Sequence, residues 1–381
     1  MRLLIYIHSL ENGGAERVVA NLANYWASIG WALTIVTVAP RTSDFYRLDS
    51  AVERVSLDLA DTRANLLAGI VRTVRRVRAL RRVLLAVQPE VALSAMHTAN
   101  VVLAAAAWGL PGLCTFGSEH NFPPKAPMGI LWETMRGQAY GRLSAVVALT
   151  QECAHWLTLH TGARKIVVIP NAVTWPLPAH APRLDPRRCC APDRHILLGV
   201  GRLSAEKNFA ALVGAFGLLA SRHPHWDLVI LGEGPERAAL EAQVRAAGLE
   251  GRVFLPGRVG NPGEWYSQAA LYGMSSDFEG FPNTLVEAMA YGLPAVSFDC
   301  DTGPRDIIRH GVDGLLVPAG DAALFGAALG RLMGDDALRH TFAARATQVR
   351  ERFSMPKIAA MWEALFACPC PERKPCPVLP S

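Results

Sequence analysis

The chain has 381 residues, 51% of them hydrophobic and 8% aromatic, and it carries a formal net charge of +5. A chain of this length is too long for a single hydrophobic core of ordinary size, so we expect two domains of roughly 150–200 residues each. The hydrophobic and aromatic content argues against extensive disorder. No apolar run reaches the roughly 20 residues that span a bilayer, which excludes a transmembrane helix. The opening MRLLIYI precedes polar HSLENGG, which predicts a buried strand and not a signal peptide. We therefore expect a cytoplasmic protein.

The eight cysteines are expected to be reduced thiols, because disulfides are rare in the cytoplasm. Three of them lie in the tail CPCPERKPCP, which has four prolines and no histidine. This composition favours a disordered, solvated tail at residues 368–381 over a zinc site.

Residues 1–174 alternate β-rich runs with helical patterns such as AERVVANLANYWASIG. The β-rich runs contain mainly Val, Ile, Leu and Ala, which is typical of strands buried on both faces of a parallel sheet. They are MRLLIYI, ALTIVTVA, EVALSAM, LCTFGSE, AVVALT and KIVVIPN. The alternation predicts a first domain of α/β class.

The segment from 175 to 194, WPLPAHAPRLDPRRCCAPDR, contains five prolines and little periodicity, which predicts a linker at 175–193. The alternation restarts at HILLGVGRL and predicts a second domain over 194–355. A doubly wound pattern that begins twice indicates two facing Rossmann-like domains. Ligands of such sheets bind beyond the carboxyl ends of the strands, so we expect the site in a cleft between the domains.

Two motifs follow predicted strands of the first domain. In ENGGAERV, Gly13 and Gly14 allow a phosphate to approach the backbone and the free N–H groups of the next helix. Paired glycines also form ordinary turns, and the dinucleotide fingerprint G-x-G-x-x-G is absent here and in GVGRLSAEKN and GEGPER. In TFGSEHNF, His120 ends a strand; a lone histidine is often structural, but this position favours a ligand site.

Two further motifs follow predicted strands of the second domain. In GRLSAEKN, Arg202 and Lys207 suit a diphosphate, although two ordinary surface cations would give the same pattern. In EGFPNTLVEAM, Asn283 is expected to cap a helix that starts near Thr284 and leaves N–H groups for an anion. Glu279 and Glu287 flank this point, and carboxylates accept hydrogen bonds from sugar hydroxyls. The pattern predicts a nucleotide-sugar site.

These motifs together resemble the retaining glycosyltransferases of the family 4 type, which have the GT-B fold. The resemblance comprises E-x7-E in EGFPNTLVEAM, GRLSAEKN, PNAV at 170–173 and GGAERV, and it covers roughly residues 1–366. It implies that the enzyme transfers a hexose or N-acetylhexosamine from a nucleotide-sugar to a glycan and retains the anomeric configuration. It also implies that a terminal helix, 356–367, returns to the first domain.

The resemblance assigns roles to individual residues of the chain. Glu279 would contact the donor sugar and Glu287 the ribose, while Arg202 and Lys207 would neutralise the diphosphate leaving group. His120 would lie near the reacting sugar, although Asn121 stands where the family usually has Asp. Further nucleotide-sugar contacts are assigned to Gly13, Gly14, Gly280, Phe281, Asn283, Thr284 and Leu285.

The family works without a metal or another cofactor, so the resemblance implies none here. The sequence contains one D-x-D motif, Asp299-Cys300-Asp301, which holds a divalent ion in GT-A enzymes. It lacks the other features of GT-A enzymes, so we do not assign it a metal. The stretch DTGPRDII, from 301 to 308, is more similar to members that use UDP-sugars than to those that use GDP-mannose.

Residues 63–88, RANLLAGIVRTVRRVRALRRVLLAVQ, contain seven arginines and no acid. Leu67, Ile70, Val74, Val77 and Leu84 recur at helical spacing, and Arg72, Arg75, Arg76 and Arg82 fall largely opposite them. Such a helix fits a membrane surface or a polyanion, although a solvated helix packed on the sheet has the same pattern. With the family resemblance, we expect a polyprenyl-diphosphate-linked glycan acceptor and a peripheral position at the cytoplasmic face of the membrane.

Two other functional classes fit parts of the sequence. Another GT-B enzyme, such as a UDP-sugar 2-epimerase or an inverting transferase, does not normally carry E-x7-E together with Arg202 and Lys207 so placed. A non-catalytic protein could use the arginine-rich helix to bind a membrane or another polyanion. Aromatic interleaving typical of single-strand binders is missing from the first domain, so we expect no nucleic-acid partner.

Overall fold

The computed structural model describes residues 1–60 and 66–367, with only the backbone described at 66–68. The predicted tail at 368–381 therefore lies outside the described residues. The chain divides into two compact units. The first unit contains residues 1–171 and the helix that begins at Met355, and the second contains Ala172–Ser354.

The first unit is built on a parallel sheet with strand order β3-β2-β1-β4-β5-β6-β7. The strands are β1 Arg2–Ile7, β2 Ala32–Thr37, β3 Val52–Ser56, β4 Val91–Ala95, β5 Cys114–Glu119, β6 Ala145–Ala148 and β7 Ile166–Val168. The helices that precede the second unit are α1 Gly14–Ser28, α2 Leu66–Val87, α3 His97–Ala106, α4 Ile130–Tyr140 and α5 Gln151–His160. Strands β1, β2, β4, β5 and β6 are buried over nearly their whole length, as their composition predicts. The edge strands β3 and β7 are mostly only partly buried.

The second unit has a parallel sheet with strand order β10-β9-β8-β11-β12-β13. Its strands are β8 His195–Val200, β9 Trp226–Leu231, β10 Val253–Gly257, β11 Leu271–Met274, β12 Ala295–Asp299 and β13 Gly314–Pro318. Its helices are α6 Phe209–Leu219, α7 Arg237–Ala246, α8 Pro262–Gln268, α9 Asn283–Ala290, α10 Pro304–Ile307, α11 Ala322–Gly334, α12 Asp336–Ala346 and α13 Val349–Arg352. Leu197, Leu212 and Phe216 belong to its buried core.

Each sheet has one point at which the strand order reverses. In the first unit this point lies between β1 and β4, and in the second it lies between β8 and β11. Loops that follow the two strands diverge to opposite faces of the sheet and leave a crevice at its carboxyl edge. The motif ENGG follows β1, GRLSAEKN follows β8, and EGFPN follows β11. The topology therefore places three of the four motifs at the crevices of their own sheets.

The last described helix, α14 Met355–Phe366, packs in the first unit. Trp26 on α1 donates from Nε1 to Glu363 Oε1 at 3.1 Å, and its ring lies 5.7 Å from that of Phe366. Residues 175–193, predicted as a linker, lie against the second unit: His180 N donates to Gly260 O at 2.9 Å, and Leu184 N donates to Asn261 Oδ1 at 3.0 Å.

The cysteines differ in their bonding state. Cys153, Cys189, Cys190 and Cys300 are free thiols, as expected, whereas Cys114 is disulfide-bonded, so the prediction of a reduced thiol is wrong for Cys114. Across residues 1–60 and 66–367, no helix is both long and apolar enough to cross a membrane.

Candidate functional site

A buried ion pair joins the two motifs at the crevice of the second sheet. Lys207, after β8, donates from Nζ to Glu279 Oε1, after β11, at 2.6 Å. The Glu279 side chain is 10% exposed and the Lys207 side chain 24% exposed. Both side chains were predicted to bind the ligand, and the fold brings them together across 72 positions of sequence. Partial burial lowers the screening of this pair by water, so the two charges attract more strongly than they would at the surface.

Further hydrogen bonds hold Glu279 in place. Ser276 Oγ donates to Glu279 Oε1 at 2.7 Å, and Thr302 Oγ1 donates to the Glu279 backbone carbonyl. Ser275 Oγ donates to the backbone carbonyl of Lys207 at 3.1 Å. Both ends of the ion pair are therefore fixed by neighbouring loops. The serines and Thr302 were missed in the sequence because a hydroxyl in a loop carries no periodic signal.

The loop after β8 is locked to the loop after β9. Leu203 N donates to Glu233 O at 3.0 Å, and Glu236 N donates to Leu203 O at 2.9 Å. A Cβ atom on Gly232 would lie 1.8 Å from Gly201 O, and one on Gly234 would lie 2.2 Å from Leu203 O. The glycines of GEGPER thus allow this close approach, which positions Arg202 and Lys207.

We expect Gly232→Ala to lower the free energy of unfolding by about 3 kcal/mol, because it combines a contact at 1.8 Å with a φ of +144°. Urea denaturation measures this change. Gly248→Ala is the matched control, since Gly248 also has a positive φ, +63°, but its added Cβ meets nothing within 4 Å. The control should lose only about 1 kcal/mol. Equal losses in the two variants would contradict the packing role of Gly232.

The helix after EGFP begins one residue earlier than predicted. Helix α9 starts at Asn283, and Pro282 occupies the N-cap position, where no side-chain cap is formed. The prediction that the Asn283 side chain caps this helix is therefore wrong, because Asn283 is already helical. Thr284 Oγ1 instead accepts a hydrogen bond from Tyr272 OH at 2.9 Å. The first turn of α9 still directs backbone N–H groups towards the crevice.

Glu287 lies inside α9 and is 5% exposed. Tyr266 OH, on α8, donates to Glu287 Oε2 at 3.2 Å and thereby orients the carboxylate. Phe281 and Leu285, predicted as ligand contacts, are 6% and 0% exposed, so their side chains pack in the unit core. At those two positions only the backbone is available to a ligand.

Arg202 differs from Lys207 in its surroundings. Its side chain is exposed, and within residues 1–60 and 66–367 its guanidinium has neither an ion pair nor a hydrogen bond. A guanidinium offers five donors in a planar fork that matches phosphate oxygens. Arg202 is therefore available to an anion without the loss of an existing contact.

In the first unit, a carboxylate lies over the predicted phosphate-binding turn. Gly13 precedes α1, and a Cβ on Gly13 would lie 2.1 Å from Glu16 Oε2. Ser9 Oγ donates to Glu16 Oε1 at 3.5 Å, and burial raises the Glu16 pKa. The Glu16 carboxyl group therefore lies against Gly13 at the start of α1. Gly14 is the first residue of the helix.

His120 directly follows β5. Burial lowers the pKa of His120 to about 4, so the imidazole is neutral at pH 7. It lies with Ser118, Asn171 and Trp362 around a small depression of the first unit. A neutral imidazole can donate one hydrogen bond and accept another, which suits contacts with sugar hydroxyls better than proton donation.

The residue before His120 belongs to a buried polar cluster that was missed in the sequence. Glu119 is 1% exposed, and Tyr140 OH donates to Glu119 Oε2 at 2.6 Å. Asn100 Nδ2 donates to Tyr140 OH at 3.0 Å, and Ser94 Oγ donates to Asn100 Oδ1 at 2.8 Å. The sequence did contain one signal of this cluster, a carboxylate at the end of an apolar strand. Charges are rarely buried without a partner, so such a residue predicts hydrogen-bond donors nearby.

The arginine-rich helix presents different residues from those predicted. Ile70 and Val74, predicted on an apolar stripe opposite the arginines, are 49% and 41% exposed. They lie on the exposed side together with Arg75 and Arg82, so the predicted separation of the apolar residues from the arginines is wrong at these positions. Arg76 donates from Nη2 to Leu59 O at 3.1 Å, and its Nε is buried without a partner among the described residues. Among residues 69–87 of α2, whose side chains the structure describes, the exposed face consists of Ile70, Val71, Val74, Arg75, Arg78, Arg82, Leu85 and Ala86.

In the D-x-D motif, Asp299 forms an ion pair with Arg305. Arg305 Nε lies 2.9 Å from Asp299 Oδ1. In the part of the chain that the structure describes, no group of three or more His, Cys, Asp and Glu side chains could hold a metal ion.

Each half of the chain matches a protein family. Residues 12–174 match the family described as Glycosyltransferase Family 4, and residues 190–349 match Glycosyl transferases group 1. The two matches do not overlap and together cover most of the chain.

Three known proteins illustrate the range of relatives. An exopolysaccharide phosphotransferase of Streptomyces coelicolor is 36% identical over 59% of this chain and 23% of its own length. The amylovoran biosynthesis glycosyltransferase AmsD of Erwinia amylovora is 31% identical over 60% of this chain and 63% of its own. The chain thus spans less than two thirds of these two proteins. A GalNAc-alpha-(1->4)-GalNAc-alpha-(1->3)-diNAcBac-PP-undecaprenol alpha-1,4-N-acetyl-D-galactosaminyltransferase of Campylobacter jejuni is 26% identical over 96% of this chain and 98% of its own.

Solved structures share the fold. Sucrose-phosphate synthase from Thermosynechococcus elongatus has a TM-score of 0.81 at 19% identity and covers 96% of this chain and 98% of its own. Anabaena HepE in complex with UDP-glucose has a TM-score of 0.76 at 18% identity and covers 96% of this chain and 99% of its own. At such identities the likeness shows the fold alone, and it confirms the predicted GT-B class.

Proposed function

Because the chain belongs to the GT-B glycosyltransferases, we propose that it is a retaining enzyme which transfers a hexose or N-acetylhexosamine from a UDP-sugar to a glycan. The supporting observation is the Lys207–Glu279 pair, which lies at the crevice of the second sheet, with the exposed Arg202 in the same loop as Lys207. Lys207, a cation that can bind a diphosphate, is thus paired with Glu279, a carboxylate that can accept hydrogen bonds from a sugar.

The proposed chemistry requires stabilisation of a leaving group. As the bond from the anomeric carbon to the β-phosphate oxygen breaks, negative charge grows on the phosphate and positive charge on the sugar. Arg202, Lys207 and the first turn of α9 are proposed to bind the phosphate charge, which allows departure without a metal ion. Preorganised charges cost no reorganisation during the reaction, and Ser275 and Ser276 hold both members of the ion pair.

The carboxylates have separate proposed roles. Glu279 would accept hydrogen bonds from hydroxyls of the donor sugar, and Glu287 from those of the ribose. Tyr266 already donates to one oxygen of Glu287. In the first unit, His120 is proposed to contact the reacting sugar as a neutral imidazole. The UDP preference is supported by DTGPRDII and by the likeness to HepE, whose structure was solved in complex with UDP-glucose.

The proposed acceptor is a glycan linked to a polyprenyl diphosphate, in the synthesis of a surface polysaccharide or glycoconjugate. Support comes from the name of the full-length Campylobacter jejuni relative, which includes PP-undecaprenol, and from the exposed basic face of α2. We also propose that this face binds the cytoplasmic surface of the membrane.

The test is a donor panel of radiolabelled UDP- and GDP-sugars, with and without membrane lipid extract, in the presence of EDTA. We expect incorporation from a UDP-sugar into the lipid fraction, and an α linkage in the product by NMR. A β linkage would overturn the retaining assignment. Isomerisation of the UDP-sugar without transfer would indicate an epimerase, and binding without turnover would indicate a non-catalytic protein.

The exposed face of α2 provides a separate prediction. We expect the triple variant Arg75→Ala, Arg78→Ala and Arg82→Ala to lose binding to anionic liposomes in flotation at low salt. Each arginine near an anionic surface contributes about 1 kcal/mol, which is roughly fivefold in affinity. Wild-type binding should also fall at high salt, because the attraction is screened within a Debye length of about 10 Å at 0.1 M.

The control is the triple variant Arg187→Ala, Arg188→Ala and Arg222→Ala, which replaces three exposed arginines of the second unit. It changes the net charge equally and should float like the wild type. Arg76 is left intact because its contact with Leu59 holds the helix. Equal flotation of wild type and α2 variant would show that this face does not bind the membrane.

A further inference from the structure

The carboxyl end of β5 is tied to a buried acid. Glu119 Oε2 accepts a hydrogen bond from Tyr140 OH at 2.6 Å. His120 is the next residue of the chain, and Asn121 follows it. Cys153 Sγ lies 3.8 Å from Asn121 O and supports this turn from α5. The buried carboxylate of Glu119 therefore anchors the end of β5 directly before His120.

One chain of hydrogen bonds in this cluster runs towards Glu119. Ser94 donates to Asn100, Asn100 donates to Tyr140, and Tyr140 donates to the carboxylate. Each donor in such a chain polarises the next, so the chain favours an acceptor with full negative charge at its end. Asn100 also donates to Ser118 O at 3.1 Å, which fixes the strand residue before the acid.

We propose that Glu119 is a positioning residue whose carboxylate, held by Tyr140, fixes the end of β5 and the turn that presents His120. The ionised acid holds this turn more tightly than the neutral acid, because hydrogen bonds to a charged acceptor are stronger. Protonation of Glu119 therefore loosens the turn.

The environment places this protonation within the physiological range. Burial raises the pKa of Glu119 to about 7, against the lowering effects of Tyr140, Arg136 and the Asn121 amide. The negative charge of Glu133, which lies on the same helix as Arg136 and Tyr140, raises the pKa of Glu119 further. His97 on α3 faces the acid with its Nδ1 3.9 Å from Glu119 Oε1.

Two other groups near Glu119 keep their protonation states near pH 7. Burial, followed by Arg136, lowers the pKa of His97, so the imidazole is neutral. Burial and the nearby Glu119 raise the pKa of Cys153, so the thiol stays protonated.

Stability does not explain the presence of the acid. A carboxyl whose pKa is raised on folding binds its proton more strongly in the folded chain than in the unfolded chain. The free energy of unfolding therefore falls as the pH rises from the pKa of Glu119 in the unfolded chain to its pKa in the folded chain, about 7. Above that pH the loss is complete. We expect Glu119→Gln to be at least as stable as the wild type at pH 8.

The direct test uses the NMR signal of the His120 ring, assigned with a His120→Asn variant. His120 itself titrates at about 4, so an inflection of its ring signal near pH 7 reports a neighbour. We expect this inflection in the wild type and its absence in Glu119→Gln. Glu133→Gln is the matched control: the inflection should persist and shift to lower pH, because a nearby negative charge is removed.

A kinetic test rests on the proposed transfer reaction. The wild-type kcat should rise with pH through about 7, and Glu119→Gln should give a flat profile, roughly tenfold below the wild type at pH 8 with donor KM unchanged. An inflection that survives in Glu119→Gln, or a stability loss at pH 8 as large as the kcat loss, would overturn the positioning role. The NMR result stands whether or not the chain proves to be a transferase.

Discussion

Glu279→Gln is expected to lower kcat for sugar transfer by roughly 100- to 1,000-fold while UDP affinity stays within about threefold of the wild type. Loss of one preorganised electrostatic contact to a transition state typically has this size. Glutamine preserves the shape of the side chain and can still accept from Ser276, so the loop remains folded. It removes the charge beside Lys207, which frees the ammonium for the diphosphate. Initial-rate kinetics and calorimetry with UDP measure the two effects.

Asp277→Asn is the matched control for this experiment. Asp277 is an exposed carboxylate on the same loop and accepts from Asn208 Nδ2 at 2.9 Å. Its loss should change kcat by less than about threefold, because an exposed charge is screened by water. A Glu279→Gln enzyme with near wild-type turnover would remove Glu279 from the proposed site.

Arg202→Ala is expected to weaken UDP binding roughly ten- to a hundredfold, since a hydrogen bond between charged groups contributes about 1.5–3 kcal/mol. The loss should be absent for uridine, which lacks the diphosphate, and it should be the same in EDTA. Folding stability should be unchanged because Arg202 is exposed and has no partner within the described residues. Calorimetry with UDP and with uridine measures the difference.

Arg222→Ala, an exposed arginine of the same unit, controls for the change in net charge and should bind UDP as the wild type does. Arg202→Lys should recover only part of the affinity, because an ammonium lacks the planar fork of a guanidinium. Equal affinities of the wild type for UDP and uridine, or binding that requires Mn²⁺, would contradict a diphosphate clamp by these cations.

The sequence by itself determined the α/β class, the two sheets and the motifs at strand ends. These features depend on local patterns: apolar runs predict buried parallel strands, and glycines and polar residues after them predict loops at the carboxyl edge. Resemblance to a known family then supplied the roles of Glu279, Glu287, Arg202 and Lys207. The placement of GRLSAEKN and EGFPN after neighbouring strands required the strand order, which reverses between β8 and β11.

Tertiary structure decided which face of each element is buried. In α2, apolar residues and arginines occur on all sides of the helix, so helical periodicity could not show that Ile70 is exposed and that Arg76 contacts Leu59. The Asn283 cap was predicted from local preference, but the helix begins at that residue.

Long-range pairs were likewise decided by the fold. Lys207 donates a hydrogen bond to Glu279, Tyr266 to Glu287, and Tyr140 to Glu119. The partners lie 72, 21 and 21 positions apart in the sequence. A hydrogen bond depends on distance and direction between two atoms, and neither is set by the residues that lie between them in the chain. Only the packed strands and helices bring these donors and acceptors together.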